Sequence, residues 1–540
     1  MGVHKSTAEE YLTRRMPSVL KRVKTRKTEF GGAETLPACE ENVNLSPRRL
    51  PGVAVRRPRG LLMSAQGSGT PHGMVTFNGD LYVARGTELY RKGDDGVTLL
   101  GEVSDTDKRF FVFGERLYVY PDKLYVQAGD PVLYPLELDS GVLSEKSVFE
   151  EHTVTLPRGM IWKGLGFSPG DCVWVVNADD EMPAPEGFYR IVSQVGRVAT
   201  VAERFPAVYE SCVRLRRVVP DLERVCVSGD RVYGIAGRDV YISAAGSAMD
   251  FYSPGSGNGQ NGAVLRLSSD GEITACAVWQ GYVIFFKRNS ICKLLGSRSD
   301  NFTLQERPAV GIAPELADAL CEVGGDLYYP AQSGVYRYRG QEPERISPVG
   351  DARPEQAVGG TDGVAYYLAI CRQGEWRQYC YLPADGSWFA EDNMHPRCMI
   401  RWKDHLCVQD ADGRVWITSS DGWDIGDLSD ERELCGPVRG SLILPPDYEL
   451  QPDGCRLTGV ALRLSGEALS DLEVFAEYAD GAAGRDADGG SEVFLGGVSG
   501  KMTDRLVRFP VTPRVSDGVR IRLAMTGDWV VHAVIREYEV

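Results

Sequence analysis

One two-strand phrase, written twice between Asp270 and Ser347, limits what this chain can fold into more than any other feature. Trp279-Gln280-Gly281-Tyr282-Val283-Ile284-Phe285-Phe286 is followed by Asn289-Ser290-Ile291-Cys292-Lys293. Gly324-Gly325-Asp326-Leu327-Tyr328-Tyr329 is followed by Ser333-Gly334-Val335-Tyr336-Arg337-Tyr338-Arg339-Gly340. In both, β-branched and aromatic residues alternate with polar ones, and the breaks hold Gly, Asn, Asp or Ser, the pattern of a β-hairpin. The phrase recurs: Gly79-Asp80-Leu81-Tyr82 with Leu89-Tyr90, Gly114-Glu115-Arg116-Leu117-Tyr118 with Leu124-Tyr125, and Gly229-Asp230-Arg231-Val232-Tyr233 with Val240-Tyr241. Weaker copies are Asp362-Gly363-Val364-Ala365-Tyr366-Tyr367 with Tyr379 and Tyr381, and Asp404-His405-Leu406-Cys407-Val408 with Val415-Trp416-Ile417. The markers stand at positions 79, 114, 229, 281, 325, 363 and 403. One interval exceeds the others by roughly 70 residues, which predicts an insertion within a repeat array.

A lone hairpin cannot bury its apolar face, whereas a four-stranded blade packed between two neighbours can. The expectation is an all-β chain built on a β-propeller of seven blades, or six, over residues 61–149 and 217–428. An open array or a large β-sandwich is the alternative for the same pattern. The 61 Gly, 30 Pro and 24 Tyr suit short strands joined by tight turns.

Three further regions flank or interrupt the repeats. Residues 150–216 hold short alternating strands joined by turns such as Pro169-Gly170-Asp171 and Gly187, and predict an inserted small β-barrel. Residues 436–540 lose the period. Their Val519, Ile521, Leu523 and Met525 alternate with Arg520 and Arg522, one buried face and one solvated face, as in a β-sandwich. Asp480 to Gly490 reads as a long loop. Residues 1–60 read as an extended basic arm: Thr7-Ala8-Glu9-Glu10 opens a short helix that Pro17 ends, and Pro47, Pro51 and Pro58 favour an extended strap.

Charge separates that arm from the body. Residues 1–60 carry 13 Lys and Arg against 6 Asp and Glu, a charge of +7, while the remaining residues carry 47 against 69, a charge of −22. A basic arm on an acidic body predicts a separate partner for the arm, the alternative being a solvated tail. Its candidate docking residues are Arg14, Arg15, Lys21, Arg22, Lys24, Arg26, Lys27, Arg48, Arg49, Arg56 and Arg57. Thirteen cysteines stand singly, without a C-x-x-C pair, which argues for free thiols in a reducing cytoplasm rather than a disulfide framework. The first thirty residues lack the apolar core of a signal peptide. No apolar run approaches the ~18 residues needed to span a bilayer, so no membrane insertion is expected. Met1-Gly2-Val3-His4-Lys5-Ser6 fits the loose myristoylation pattern, a match short enough to arise by chance.

Catalytic patterns are sparse. Ser419-Ser420-Asp421-Gly422-Trp423 misses the spacing of the sialidase turn and does not recur. None of His4, His72, His152, His395, His405 and His532 forms an i, i+4 pair for zinc. His395 and His405 near Cys398 and Cys407 are the best metal candidates, with ordinary hairpin residues as the plainer reading. Gly255 to Gly262 looks like a phosphate-cradling loop but follows no buried strand and opens no helix. Asp410-Ala411-Asp412-Gly413 could start a calcium loop, yet Arg414 stands at its fifth position. The expectation is a protein that is not an enzyme, without metal or cofactor.

The order of parts, basic arm, blades, inserted barrel, blades and sandwich, resembles the tail-nozzle and packaged-DNA stabilisation proteins of short-tailed bacteriophages. The similar phrases are Leu50-Pro51-Gly52-Val53, Val240-Tyr241-Ile242-Ser243 leading to Met249-Asp250-Phe251, Val278-Trp279-Gln280-Gly281 leading to Phe285-Phe286, Val310-Gly311-Ile312-Ala313, and Gly334 to Gly340. The resemblance implies a structural virion protein made in the bacterial host cytoplasm and forming a homo-oligomeric, hexameric ring in the tail. That ring would lie below the portal and adaptor rings, with tail fibres or a needle as further neighbours, and DNA would pass its lumen without sequence-specific binding. An acidic body suits such a conduit, because like charge keeps phosphates sliding. The competing class is a receptor- or glycan-binding propeller, to which Trp388, Trp402, Trp416 and Trp423 give some standing.

Overall fold

The repeated hairpins are the second and third strands of four-stranded antiparallel sheets. The computed structural model describes residues 41–46, 53–178, 183–253, 259–267, 269–347, 353–384, 386–391, 394–418, 438–444, 456–466, 470–479, 492–512 and 518–539. The chain divides into two compact units, Gln66–Ala317 and Met1–Ala65 with Asp318–Val540.

The Gln66–Ala317 unit holds four blade sheets. Blade one is Pro71–Phe77, Asp80–Arg85, Glu88–Gly93 and Gly96–Glu102; blade two is Arg109–Phe113, Arg116–Tyr120, Leu124–Gln127 and Asp130–Pro135. Blade three is Arg224–Ser228, Arg231–Ala236, Asp239–Ile242 and Ala263–Arg266; blade four is Ala275–Trp279, Tyr282–Phe286, Ser290–Leu295 and Thr303–Pro308. The other unit holds blade five (Cys321–Val323, Asp326–Ala331, Gly334–Tyr338, Glu344–Ser347) and blade six (Gln356–Thr361, Tyr366–Arg372, Glu375–Leu382, Ser387–Glu391). Blade seven takes three strands from the same region, Pro396–Trp402, His405–Asp410 and Val415–Ile417. Its fourth, Gly60–Met63, comes from the other end of the chain and pairs Leu61 with Trp416 and Met63 with Val415. The fold class is all-β and of β-propeller type, with seven blade sheets among the described residues.

The recurring marker glycine has a backbone cause. Two-residue turns matching the twist of a hairpin need positive φ at both central residues. Asn78 (φ 51) with Gly79 (φ 84) and Gly324 (φ 60) with Gly325 (φ 87) supply it at the first turn of their blades. The middle strands then run between neighbouring blades: Leu81, Val83 and Ala84 are buried, and so are Val283, Ile284, Phe285 and Phe286. In blades one to five the fourth strand is the solvated edge, as in Gly96–Glu102, where Leu99 is 55% exposed.

Two boundaries differ from the sequence reading. The insertion begins at Leu138–Val142, not at residue 150, and ends with Val213–Arg217. These two strands pair, Leu138 opposite Arg217 and Asp139 opposite Arg216, because a segment that leaves and re-enters the array at one point must bring its ends together. Its eight strands form one hydrogen-bonded order whose end strands, Leu138–Val142 and Tyr209–Ser211, do not pair with each other. The expected small barrel is therefore an open sheet, bent at the register shift between Ile191 and Ser193 and wrapped around Phe149, Leu156, Trp162, Phe167 and Phe205.

The arm, expected to run to residue 60, is already built into the fold from residue 41. Glu41–Val43 joins the outer strand of blade six to the C-terminal sandwich: Val43 pairs in parallel with Ala390, and Glu41, Asn42 and Val43 pair with Ile443, Leu442 and Ser441. The same sheet continues through Gly518–Thr526, Asp471–Ala479 and Glu492–Ser499. Leu45–Ser46 and Val53–Val55 begin the opposing sheet, which continues through Val530–Glu539, Arg456–Gly466 and Met502–Pro510. Extended chain beside an open sheet edge becomes a strand. One core runs from Tyr367 and Phe389 of blade six through Leu442, Leu462, Val474, Ile521 and Trp529 of the sandwich.

Candidate functional site

Of the eleven arm cations, Arg14, Arg15, Lys21, Arg22, Lys24, Arg26, Lys27, Arg48 and Arg49 lie outside the described residues. Arg56 does not fit the docking role. It is buried, its Nε donates to Asn44 Oδ1 at 2.9 Å, and its Nη1 donates to the Arg57 carbonyl at 3.3 Å. A guanidinium desolvated in this way holds two strands of its own sandwich. Arg57 is half-buried beside it. Arg59, which no sequence pattern singled out, is 1% exposed and pairs with Glu391 at 2.5 Å.

Asp410 and His395, two of the metal candidates, have structural partners. Asp410 Oδ1 accepts the backbone N–H of Asp412 at 3.0 Å and of Arg414 at 2.9 Å, and its Oδ2 accepts Trp416 Nε1–H at 2.8 Å. Those acceptors close a hairpin turn, so the calcium reading fails on its first ligand. His395 lies 5.0 Å from the Trp376 ring, and burial, with Arg397 nearby, lowers its pKa. Among the described residues no three His, Cys, Asp or Glu side chains gather in a way that could hold a metal ion. Of the glycine-rich loop, Gly255 to Asn258 lie outside the described residues, and Gly259 and Asn261 turn their carbonyls to an arginine. Buried Arg231 donates to Gly259 O at 3.0 Å, Asn261 O at 2.8 Å and Ser243 O at 2.6 Å, a polarity opposite to a phosphate cradle. Ser419 to Trp423 lies outside the described residues.

Three arrangements that sequence reasoning missed are built by long-range packing. His72 is buried with a carboxylate on each ring nitrogen, Asp105 at 2.7 Å and Asp107 at 3.1 Å, which leaves neither nitrogen free to activate a nucleophile. Beside it Lys108 Nζ is fully buried, 2.7 Å from Asp122, and donates to the Ser104 carbonyl at 2.6 Å. At the root of the insertion, Arg217 Nη1 donates to both Asp171 oxygens at 3.0 Å and its Nε donates to the Leu136 carbonyl at 2.6 Å, a clamp on blade two.

The third is an aromatic run between the insertion and blade three. Tyr241 meets Tyr252 edge-on at 6.4 Å, Tyr252 stacks on Phe188 at 5.0 Å, Phe188 on Trp174 at 5.8 Å, and the Arg216 guanidinium caps Trp174 at 5.3 Å. Asp139, held down to about 2 by its hydrogen bond from Arg214, pairs with Arg216 at 3.4 Å. Burial, with Tyr241 and Asp221 nearby, pushes Tyr252 up to about 12. Each ring packs against the next group, so the run ties the insertion to its blade. Trp388, Trp402 and Trp416, expected at a sugar-binding rim, are core residues 3%, 7% and 6% exposed. Trp423 lies outside the described residues.

No protein-family model matches the chain, and no curated protein matches it. Among solved structures it is similar to PorZ, described as a bacterial surface component of the type-IX secretion system of Porphyromonas gingivalis. The identity is 10% and the TM-score 0.34, over 72% of this chain and 43% of that one. BamB from Moraxella catarrhalis aligns at 9% identity and TM-score 0.34, over 71% of this chain and 95% of its own. AztD from Citrobacter koseri aligns at 12% and 0.30, over 66% and 94%. The chain thus spans less than half of PorZ. The propeller assignment rests on the chain's own sheets.

Proposed function

We propose that the chain is a structural subunit of the tail nozzle or hub of a short-tailed phage, a homo-oligomeric, hexameric ring that conducts and retains packaged DNA. The observation that carries the reading is the order of parts: two blades, an inserted β-unit between Leu138 and Arg217, five further blade sheets and a C-terminal sandwich. It is the order of the family that the sequence resembles. The charge of −22 beyond residue 60 supports a lumen that repels phosphates, and the +7 of residues 1–60 supports attachment to an acidic portal or adaptor ring. The glycan-binding alternative loses support with the burial of Trp388, Trp402 and Trp416.

The test is the copy number of the chain in purified virus particles, by quantitative mass spectrometry normalised to the major capsid protein. A small fixed ring number, such as six or twelve, is the expected result. Absence from particles, or a number matching peripheral fibres, overturns the reading.

A further inference from the structure

Blades three and four meet along their first strands, Arg224–Ser228 and Ala275–Trp279, which run side by side. The contact is in register at one end, where Ser228 Oγ donates to the Gly281 carbonyl at 3.3 Å, just past Trp279. Two residues before Ser228 stands Cys226, and three before Trp279 stands Cys276. Their thiols stand close enough to each other to interact electrostatically. Both are free thiols, half-buried, and both pack at the margin of the core that Tyr233, Ile235, Val283 and Phe285 form between the two blades. By contrast Cys172, Cys292, Cys371, Cys380 and Cys407 are buried.

We propose that Cys226 and Cys276 are a redox pair, and that a disulfide oxidant such as oxidised glutathione joins them into a covalent bridge between the first strands of blades three and four. A disulfide needs two sulfurs already near contact and an opening through which the oxidant reaches one of them. Side-by-side strands meet the first condition, and partial exposure of both residues the second. The Cys276 thiol beside it, with burial, pushes the Cys226 thiol up, so the exchange is favoured as pH rises. The Cys276 thiolate attacks one glutathione sulfur and expels glutathione thiolate, which takes up a proton. Cys226 then loses its proton and attacks the Cys276 sulfur of the mixed disulfide, releasing the second glutathione. Two protein thiols are oxidised by two electrons, and one oxidised glutathione becomes two reduced ones. In a reducing cytoplasm the pair stays open; outside the cell it closes. The inference does not depend on the tail-nozzle reading.

The experiment is peptide mapping of the full-length chain after equilibration in glutathione buffers from fully reduced to fully oxidised. Free thiols are alkylated before digestion without reductant. The expected result is a Cys226–Cys276 linked peptide, two hydrogens lighter than the sum of its parts, formed as the buffer becomes oxidised and lost again on reduction. Cys226→Ser should abolish that peptide and leave Cys276 carrying glutathione. Absence of the linked peptide from the wild-type chain in the most oxidised buffer overturns the proposal, as does preferential linkage of either cysteine to a different partner. The wild-type measurement decides the matter even if a serine variant fails to fold.

Discussion

Replacing Arg59 by Met should open the outer strand of blade seven while the rest of the unit stays folded. Arg59 immediately precedes Gly60–Met63, whose four residues are all buried, and its guanidinium lies 2.5 Å from Glu391, with side-chain exposures of 1% and 7%. Gln378 Nε2 donates to the same carboxylate oxygen at 2.8 Å. Removing one member of a buried pair leaves the other charge desolvated and unpaid for, which costs about 3–5 kcal/mol. At about 1.4 kcal/mol per tenfold change in an equilibrium constant, that is a rise of roughly 10²- to 10⁴-fold in the open population of the strand. Native-state hydrogen exchange reads this population at the amides of Gly60–Met63 and of Val415–Ile417. The double variant Arg59→Met with Glu391→Leu removes both charges and should recover most of the protection, because an apolar pair of similar volume often replaces a buried ion pair without loss. Exchange unchanged within threefold in Arg59→Met, or a double variant no better than the single one, would refute the reasoning.

Gly311→Ala should destabilise its unit by about 2–3 kcal/mol, read as a lower urea midpoint, because steric overpacking without room to relax costs about that much. A Cβ there would stand 1.8 Å from the Lys287 carbonyl oxygen, which already accepts the Ile312 N–H at 2.9 Å and cannot retreat. Stability should also fall in acid through Asp122. Burial alone would raise its pKa, but the Lys108 ammonium and the Ser104 N–H outweigh burial and lower it. A depressed folded pKa gives stability that is complete above the unfolded value, about 3.9, and lost as pH falls through the folded one. The stability difference between wild type and Asp122→Asn should therefore be constant above the aspartate range and shrink below it; a difference growing toward acid would contradict the sign. Neutralising Arg14, Arg15, Lys21, Arg22, Lys24, Arg26 and Lys27 together should weaken attachment to an acidic partner ring, most at low salt, in a pull-down across ionic strengths. Unchanged attachment at low salt would remove those residues from the interface.

The parts of the fold legible in sequence are those whose signal is local. Middle blade strands are buried on both faces and follow a turn with a left-handed backbone, so they announce themselves as Gly-Asp-Leu-Tyr or Gly-Tyr-Val-Ile-Phe-Phe. First strands can be as short as Cys321–Val323, and the fourth strands of blades one to five are half-solvated, so neither stands out. Blade seven reads weakly for a related reason: its first turn takes positive φ at Lys403 (46) and Asp404 (65), without a glycine to mark it. Pairing between distant segments leaves no local trace at all. Nothing around Gly60 says that it will lie against Ile417, and nothing around Asn44 says that its Nδ2 will donate to the Arg439 carbonyl at 2.9 Å. The site reading erred for the same reason. Arg56 looked like a free cation and the tryptophans looked like a rim because composition reports residue type but not burial.

The same long-range pairing bears on how the protein is made. Blade seven lacks its fourth strand until Gly60–Met63 pairs with Val415–Ile417, and Glu41–Val43 fills the gap between Ser387–Glu391 and Arg439–Leu444. This segment is synthesised long before its partners, so it stays unpaired until they emerge. Closing so large a loop costs conformational entropy before any contact offsets it. A buried ion pair beside the fourth strand of blade seven, Arg59 with Glu391, and two asparagines that supply backbone-like hydrogen bonds, Asn42 to the Trp388 carbonyl at 2.8 Å and Asn44 to that of Arg439, are placed where they penalise a misregistered strand. A one-residue slip would bury the Arg59 charge without its carboxylate. The polar groups of this segment therefore act on register more than on net stability, and that is the distinction the Arg59→Met and Glu391→Leu pair separates.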